Sequence, residues 1–169
     1  MITKKMNDAF NNQINAEQFS SYLYLSMSAW FSTNGLPGFA TWMRAQAKEE
    51  AFHGDKMFDY LLERGGKVEL QKIDKPKGKW KSPLDVIKDV AAHEAKVTGL
   101  INDLVDCALE EKDHASNIFL QWFVAEQVEE EASVGEVLDR LKMVGDNPSG
   151  MFTMDLEMGK RVFQEPVAE

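Results

Sequence analysis

Apolar residues recur along most of this chain at the three- and four-residue spacing of an amphipathic helix, and no segment alternates apolar and polar residues as a strand does. Residues that break helices interrupt the pattern at four places: Asn34 to Gly38, Gly65 to Gly66, Lys112 to His114 and Gly145 to Pro148. The pattern predicts an all-α protein with five helices, over residues of about 4–33, 39–64, 84–111, 115–144 and 149–162.

The lengths of the connecting segments predict how these helices are joined. Short breaks separate the first helix from the second and the third from the fourth, so each pair should form an antiparallel hairpin. The segment from Lys67 to Lys81 is long, contains Pro76 and Gly78, and lacks helical periodicity. We therefore expect one domain over residues 1–169, a four-helix bundle with one long crossover connection and a short fifth helix.

Each of the four long helices has a glutamate in the middle of its apolar stripe: Glu17, Glu50, Glu94 and Glu130. Positions seven apart lie on nearly the same helix face, and those flanking the glutamates are Phe10 and Tyr24, Met43 and Met57, Ile87 and Ile101, and Phe123 and Val137. An uncompensated buried carboxylate costs roughly several kcal/mol, and a domain's whole stability is about 5–15 kcal/mol. A positive charge is therefore expected among them.

A metal site is the compensation that the sequence favours. No Lys or Arg lies near the glutamates in these stripes, but His53 follows Glu50 by three residues on the same face. A Glu-x-x-His pair alone is a weak signal, which an ion pair or a solvated face would also explain. Three further mid-stripe glutamates favour a metal. Carboxylates with one imidazole suit iron or manganese and disfavour Cu(I), and Glu50 is placed to bridge two ions.

The fourth helix carries more acidic residues than the central site needs. Glu126 shares the stripe of Glu130, with Gln127 and Glu129 on the neighbouring arc of the same face. Glu131 lies towards the edge of that arc, where an ordinary surface position is the better interpretation.

The amino-acid composition limits which classes of binding partner and which cellular location are expected. The chain has 169 residues, 28 of them acidic and 19 basic, for a net charge of -9. Without a long basic cluster, nucleic acid is a poor partner; the acidity suits cations, although solubility alone would also explain it. Cys107 is the single cysteine, so no internal disulfide forms and a reduced, cytoplasmic location is expected. No signal peptide or membrane span is predicted.

Four segments together resemble one known family: Asn15-Ala16-Glu17-Gln18, Ala47-Lys48-Glu49-Glu50-Ala51-Phe52-His53, His93-Glu94, and Gln121 to Glu131. Over nearly the entire chain the sequence resembles the ferritin family, specifically the haem-free bacterial ferritins. The resemblance implies a hollow homo-oligomeric shell of twenty-four subunits. Such a shell oxidises Fe(II) with dioxygen or hydrogen peroxide at a di-iron ferroxidase centre and stores ferric oxyhydroxide.

The resemblance also implies roles for individual residues. Glu17, Glu50 and His53 would hold the first iron, and Glu50, Glu94 and Glu130 the second, with Gln127 as a ligand or hydrogen-bond partner. A third iron site on the cavity side would use Glu49, Glu126, Glu129 and Glu130. Tyr24 resembles the tyrosine that neighbours the di-iron centre and donates an electron, although a core tyrosine with a satisfied hydroxyl explains its spacing equally well.

Two departures from related patterns change the expectation. Symmetrical di-iron bundles carry Glu-x-x-His on two helices, whereas the fourth helix here has Gln127 and Glu130 at that spacing. A second iron without histidine should be held more loosely and move on as ferric product. Bacterioferritins place a haem-ligating methionine directly after the second-helix glutamate, where this chain has Ala51, so no haem is expected.

Two alternatives to an iron-storage ferritin remain open. The first is a di-iron peroxidase or oxidase of the ferritin-like group; its rubrerythrin members append a cysteine-rich module, whereas this chain has only Cys107. The second is a structural or partner-binding helix bundle with incidental acidic residues, and the four centred glutamates argue against it.

Overall fold

The computed structural model describes residues 2–165, which form five helices and, within that range, no strand. The helices are α1 (Lys4–Thr33), α2 (Pro37–Glu63), α3 (Pro83–Glu110), α4 (His114–Val144) and α5 (Pro148–Met158). Helix α1 packs against α2 and α3 packs against α4, while α1 also contacts α3 and α5 rests on α2 and α4. Among the described residues, no helix is both long and apolar enough to cross a membrane. The predicted all-α bundle with a short fifth helix is confirmed.

Side-chain caps and prolines determine where the helices begin. The side chains of Thr3, Ser82 and Asp113 each accept a hydrogen bond from the backbone N–H three residues later. Helices α2, α3 and α5 begin with a proline, a residue that suits the first helical position because its missing N–H would have had no partner there. The predicted starts of α2 to α5 are therefore one or two residues late.

The predicted end of the fifth helix at residue 162 is wrong. Helix α5 ends at Met158, and the N–H of Gly159 bonds the carbonyl of Asp155. The chain then leaves the helix and follows α2, where Arg161 contacts Gln46 and the Phe163 ring lies 6.0 Å from that of Phe52. The helix therefore ends early because Gly159 has a low helix propensity and because the residues after it contact α2 instead of forming another helical turn.

The crossover between Glu63 and Pro83 lies along α1, held by polar side chains. The backbone N–H groups of Lys67 and Glu69 donate to the side-chain oxygens of Asn7 and Asn11, both at 2.7 Å. Further along, Ser26 Oγ donates to the carbonyl of Lys77 at 2.7 Å. Because these bonds satisfy backbone groups that have no helical partner, the long segment can stay ordered while it carries the chain from one hairpin to the other.

A polar layer divides the bundle core into two apolar clusters. The first cluster contains Tyr24, Met27, Phe31, Phe39, Met43, Ile87 and Val134, and the second contains Phe10, Ile14, Met57, Leu61, Val97, Ile101 and Phe123. On every long helix the residues between the two clusters are buried and polar: Glu17 and Ser20, Glu50 and His53, Glu94, and Gln127 and Glu130. The two clusters hold the helices on both sides of this layer, so its side chains are fixed in position.

The junction between α2 and α5 yields a first prediction. A Cβ added at Gly38 would lie 1.6 Å from the carbonyl oxygen of Asp155, and the Asp155 side chain also accepts the Phe39 N–H at 2.9 Å. The substitution Gly38→Ala should therefore push α5 off α2 and lower the free energy of unfolding by about 1–3 kcal/mol. Thermal unfolding and limited proteolysis of the C-terminal segment would measure the effect.

The control is Gly99→Ala in α3, where an added Cβ meets nothing within 4 Å and the helix gains up to about 1 kcal/mol. Equal stability of the two variants would contradict the close approach of α5 to Gly38.

Candidate metal centre

Six side chains converge in the polar layer from all four long helices: Glu17, Glu50, His53, Glu94, Gln127 and Glu130. Each is at most 5% exposed. The heptad spacing predicted that the four glutamates point into the core, and the structure places them there. Four carboxyl groups and one imidazole thus share a space from which water is largely excluded.

Glu17, Glu50 and His53 form the tighter half of the centre. One donor atom from each lies within 4.8 Å of the other two, and His53 Nδ1 is 3.5 Å from Glu50 Oε2. Donors about 2.1 Å from a shared ion lie within about 4.2 Å of one another, so a small contraction would let all three bind one cation. Nearby glutamines orient the carboxylates: Gln13 Nε2 donates to Glu17 at 2.7 Å and Gln46 Nε2 to Glu50 at 3.0 Å.

Glu94, Gln127 and Glu130 form a looser half. Gln127 Nε2 lies 3.3 Å from Glu94 Oε2 and 3.2 Å from Thr98 Oγ1, and the Tyr24 hydroxyl donates to the other oxygen of Glu94. Among the described residues, Glu50, Glu94 and Glu130 do not converge as closely as the first set does. Gln127 and Tyr24 are therefore both hydrogen-bond partners of Glu94.

Burial and mutual repulsion keep most of these carboxyl groups protonated. Burial, followed by the charge of Glu50, raises the pKa of Glu17 and that of Glu130 to about 8, and the pKa of Glu94 to about 7. Burial and the nearby Glu94 raise the pKa of Tyr24 well above its usual value, so its hydroxyl remains a donor. Without a bound cation at neutral pH, therefore, Glu17 and Glu130 avoid most of the cost of burying a charge by binding protons, and Glu94 avoids part of it.

Glu50 and His53 behave differently because they compensate each other. Burial opposes the charged form of each side chain, but the hydrogen bond and charge of Glu50 outweigh burial and raise the pKa of His53 to about 9. The same contact with His53 holds the pKa of Glu50 below its usual value despite burial. The positive charge expected among the glutamates is thus supplied in part by the protonated imidazole of His53. A bound cation would displace the imidazole proton and supply that positive charge itself.

Two unsatisfied oxygen atoms show that the donor set fits metal ions. Glu17 Oε2 and Glu130 Oε2 are buried without a hydrogen-bond partner in the described part of the chain. Buried polar atoms are rarely left unpaired, because each costs about 1–3 kcal/mol. One orphaned oxygen belongs to each half of the centre. Carboxylate oxygens and one imidazole nitrogen are a donor set that iron accepts.

A second group of possible ligands lies beside the centre. Donor atoms of Glu49, His53 and Glu126 fall within 4.8 Å of one another, and burial raises the pKa of Glu126. Glu129, predicted to belong to this third site, is exposed and does not join the group. Instead, Arg161 from the C-terminal segment donates to Glu49 at 2.5 Å.

Sequence reasoning missed three side chains at the site: Gln13, Gln46 and Arg161. The two glutamines had a readable signal, because each stands four residues before a core glutamate and so shares its helix face. Arg161 had none, since it follows the last helix and reaches α2 only through tertiary structure.

The sequence and the structure of the chain are both similar to those of known proteins. A family model described as Ferritin-like domain matches residues 7–144. The chain belongs to the ferritin family. It is 46% identical to the bacterial non-heme ferritin of Bacteroides fragilis (strain 638R) over 161 residues, which cover 95% of this chain and all of the relative. The resemblance to haem-free bacterial ferritins is therefore confirmed.

Other ferritins extend the similarity to archaea. The bacterial non-heme ferritin of Campylobacter jejuni is 40% identical over 155 residues, 92% of this chain and 93% of the relative. The structure of the engineered closed form of the Archaeoglobus fulgidus ferritin is 47% identical, with a TM-score of 0.96 over 97% of this chain and all of that one. The open pore ferritin from that hyperthermophilic archaeon is 48% identical, with a TM-score of 0.94 over 95% of this chain and 98% of that one.

The buried carboxyl groups make the stability of this ferritin depend on pH in the metal-free state. The pKa of folded Glu130 is about 8 against an ordinary 4.5, so between these values the folded protein binds more protons and its free energy of unfolding falls as pH rises. Glu130→Leu should remove this contribution and raise the unfolding midpoint at pH 8 by at least about 2 °C. Calorimetry of metal-free protein between about pH 5 and pH 8 would measure it.

Glu63→Leu, at an exposed position of α2, is the matched control and should keep the original pH dependence. A Glu130→Leu protein with a lower midpoint at pH 8 would contradict a destabilising role for the buried carboxyl group.

Proposed function

We propose that this ferritin oxidises Fe(II) at the buried polar layer and stores the ferric product in a hollow shell. The observation that carries the proposal is the pair of orphaned buried oxygens, on Glu17 and Glu130, in the same layer as the charged pair formed by Glu50 and His53. Such an arrangement destabilises the metal-free fold and is relieved by cations. Iron is here the substrate, not a permanent cofactor.

The proposed first iron binds Glu17, Glu50 and His53, and the second binds Glu50, Glu94 and Glu130. Glu50 would serve both ions, because its charge acts on Glu17 in one half of the centre and on Glu94 and Glu130 in the other. The looser packing of the second half supports weaker holding of that ion. Gln127 orients Glu94 by donating to it, which supports a positioning role over direct ligation.

Two adjacent ferrous ions each lose one electron, and together they reduce one dioxygen, with two protons, to hydrogen peroxide. With hydrogen peroxide as oxidant, the same two electrons and two protons give two waters. Neither route releases superoxide. Tyr24 is protonated and bonded to Glu94. Where only one ferrous ion is bound, Tyr24 would supply the second electron that reduces dioxygen to peroxide, and its hydroxyl proton would pass to Glu94.

Ferric product then leaves for the cavity through a third site that we assign to Glu49 and Glu126, whose donor atoms converge beside His53. Glu130 would be shared with the centre, and the exposed Glu129, which lies outside this group, would join only once an ion is bound. The shell is proposed to hold twenty-four copies of the chain, to lie in the cytoplasm and to carry no haem, since Ala51 occupies the position of a haem-ligating methionine. Matches to proteins named as non-heme ferritins over almost their full length support the absence of haem.

Fe(II) oxidation by the metal-free protein tests the proposal. Stopped-flow absorbance should show a fast phase that saturates near two irons per subunit, followed by slower mineral growth. Glu130→Gln should slow the fast phase at least about tenfold, because it removes a charged ligand of the second ion. Glu136→Gln, at an exposed position on the same helix, should oxidise iron as the unmodified protein does. Oxidation no faster than in protein-free buffer would reject the ferroxidase assignment.

The native mass of the protein tests storage separately. Helix α5 exposes Phe152 and Leu156, which lie one turn apart on the same helix face, and neighbouring exposed apolar side chains favour contact with another subunit. Native mass spectrometry should therefore give a mass close to twenty-four times the 19.1 kDa of the chain. A monomer or dimer that still turns over oxidant would favour a di-iron peroxidase or oxidase without storage.

A further inference from the structure

The C-terminal segment places a positive charge beside the proposed third site. Arg161 Nη2 donates to Glu49 Oε2 at 2.5 Å and Nη1 donates to Gln46 Oε1 at 2.6 Å. The guanidinium carbon lies 4.6 Å from the centre of the Trp42 ring. Charge-assisted hydrogen bonds and a cation–π contact therefore hold the same group, and Phe163 anchors the segment against Phe52.

This guanidinium engages a carboxylate that an ion at the third site would need. Glu49 is one of three residues whose donor atoms converge, together with His53 and Glu126. Arginine stays protonated at any pH relevant to a protein, so its charge cannot be removed by titration. A metal ion bound to Glu49 would be repelled by the guanidinium on the same carboxylate, so binding of the ion favours displacement of the arginine.

Gln46 connects the same arginine to the central layer. Its Oε1 accepts from Arg161, and its Nε2 donates to Glu50 Oε1 at 3.0 Å. A guanidinium can only donate hydrogen bonds, so the amide end that faces it must be the oxygen. The Nε2 group is consequently turned towards Glu50, the carboxylate proposed to serve both ions.

We propose that Arg161 is the resting occupant of the third cation site, displaced by incoming iron, and that it positions Gln46 against Glu50. This inference rests on the proposed function. The attraction between an ion and a carboxylate grows with the charge of the ion, so divalent and trivalent iron compete with a single guanidinium charge far better than alkali ions do. Arg161 thus selects the cations that pass from the centre to the cavity.

Zinc binding to the assembled metal-free protein tests this assignment without oxidation. Zn(II) accepts carboxylate and imidazole ligands and has no redox chemistry, and isothermal titration would resolve ions one to three per subunit. In Arg161→Gln the third ion should bind about tenfold more tightly, because no tethered charge competes for Glu49. Arg161→Lys keeps the charge and should return this affinity to within about threefold of the unmodified protein.

The matched control is Lys160→Gln, which removes the same formal charge from an exposed neighbour whose ammonium bonds Glu157; its third-ion affinity should stay within about twofold of the original. Glu126→Gln should weaken the third ion in both backgrounds. An unchanged third-ion affinity in Arg161→Gln, or an unchanged one in Glu126→Gln, would overturn the inference. Failure of the unmodified protein to bind two ions would instead reject the proposed di-iron centre.

Discussion

Burying four carboxyl groups in one layer is the constraint on which this structure depends. The layer separates two apolar clusters, and each cluster anchors all four long helices on its own side. Neither cluster alone would hold the glutamates at fixed distances, because a helix packed at one end is free to splay at the other. The long helices, and the crossover that lies along α1, therefore have the same effect. They let apolar packing on both sides of the layer offset the cost of burying its polar groups.

The metal-free centre limits this cost by protonation and by a single ion pair. Glu17, Glu94 and Glu130 have raised pKa values, while Glu50 and His53 stabilise each other as charged groups. The expectation of a positive charge among the glutamates was therefore correct, but incomplete, since bound protons share the task. A cation bound here would release these protons, so the proposed iron uptake would depend on pH through the same residues that are proposed as ligands.

Local periodicity was sufficient to predict the helices and the buried carboxyl groups of the central layer, because both depend on positions within one helix. Heptad spacing placed Glu17, Glu50, Glu94 and Glu130 in the core, and the three-residue step placed His53 beside Glu50. The first residues of the helices were predicted less accurately where a proline begins the helix. The contact between Arg161 and the outer group of Glu49, His53 and Glu126 was not predictable. Arg161 and Glu49 are more than a hundred residues apart in the sequence, and only the turn of the chain after α5 brings them together.

The surroundings of the acidic side chains differ between the α3 side of the centre and the side of α2 and α4. On the α3 side, Glu94 is held by neutral donors, Tyr24 and Gln127, neither of which a cation must displace. On the side of α2 and α4, His53 belongs both to the central group and to the outer group with Glu49 and Glu126, so the two groups share a boundary. Past that boundary the acidic residues become less buried, and the cost of holding a charge falls. A highly charged ion therefore meets decreasing desolvation as it moves outward, opposed by the arginine charge bonded to Glu49 and by the charge of Lys56 near Glu126.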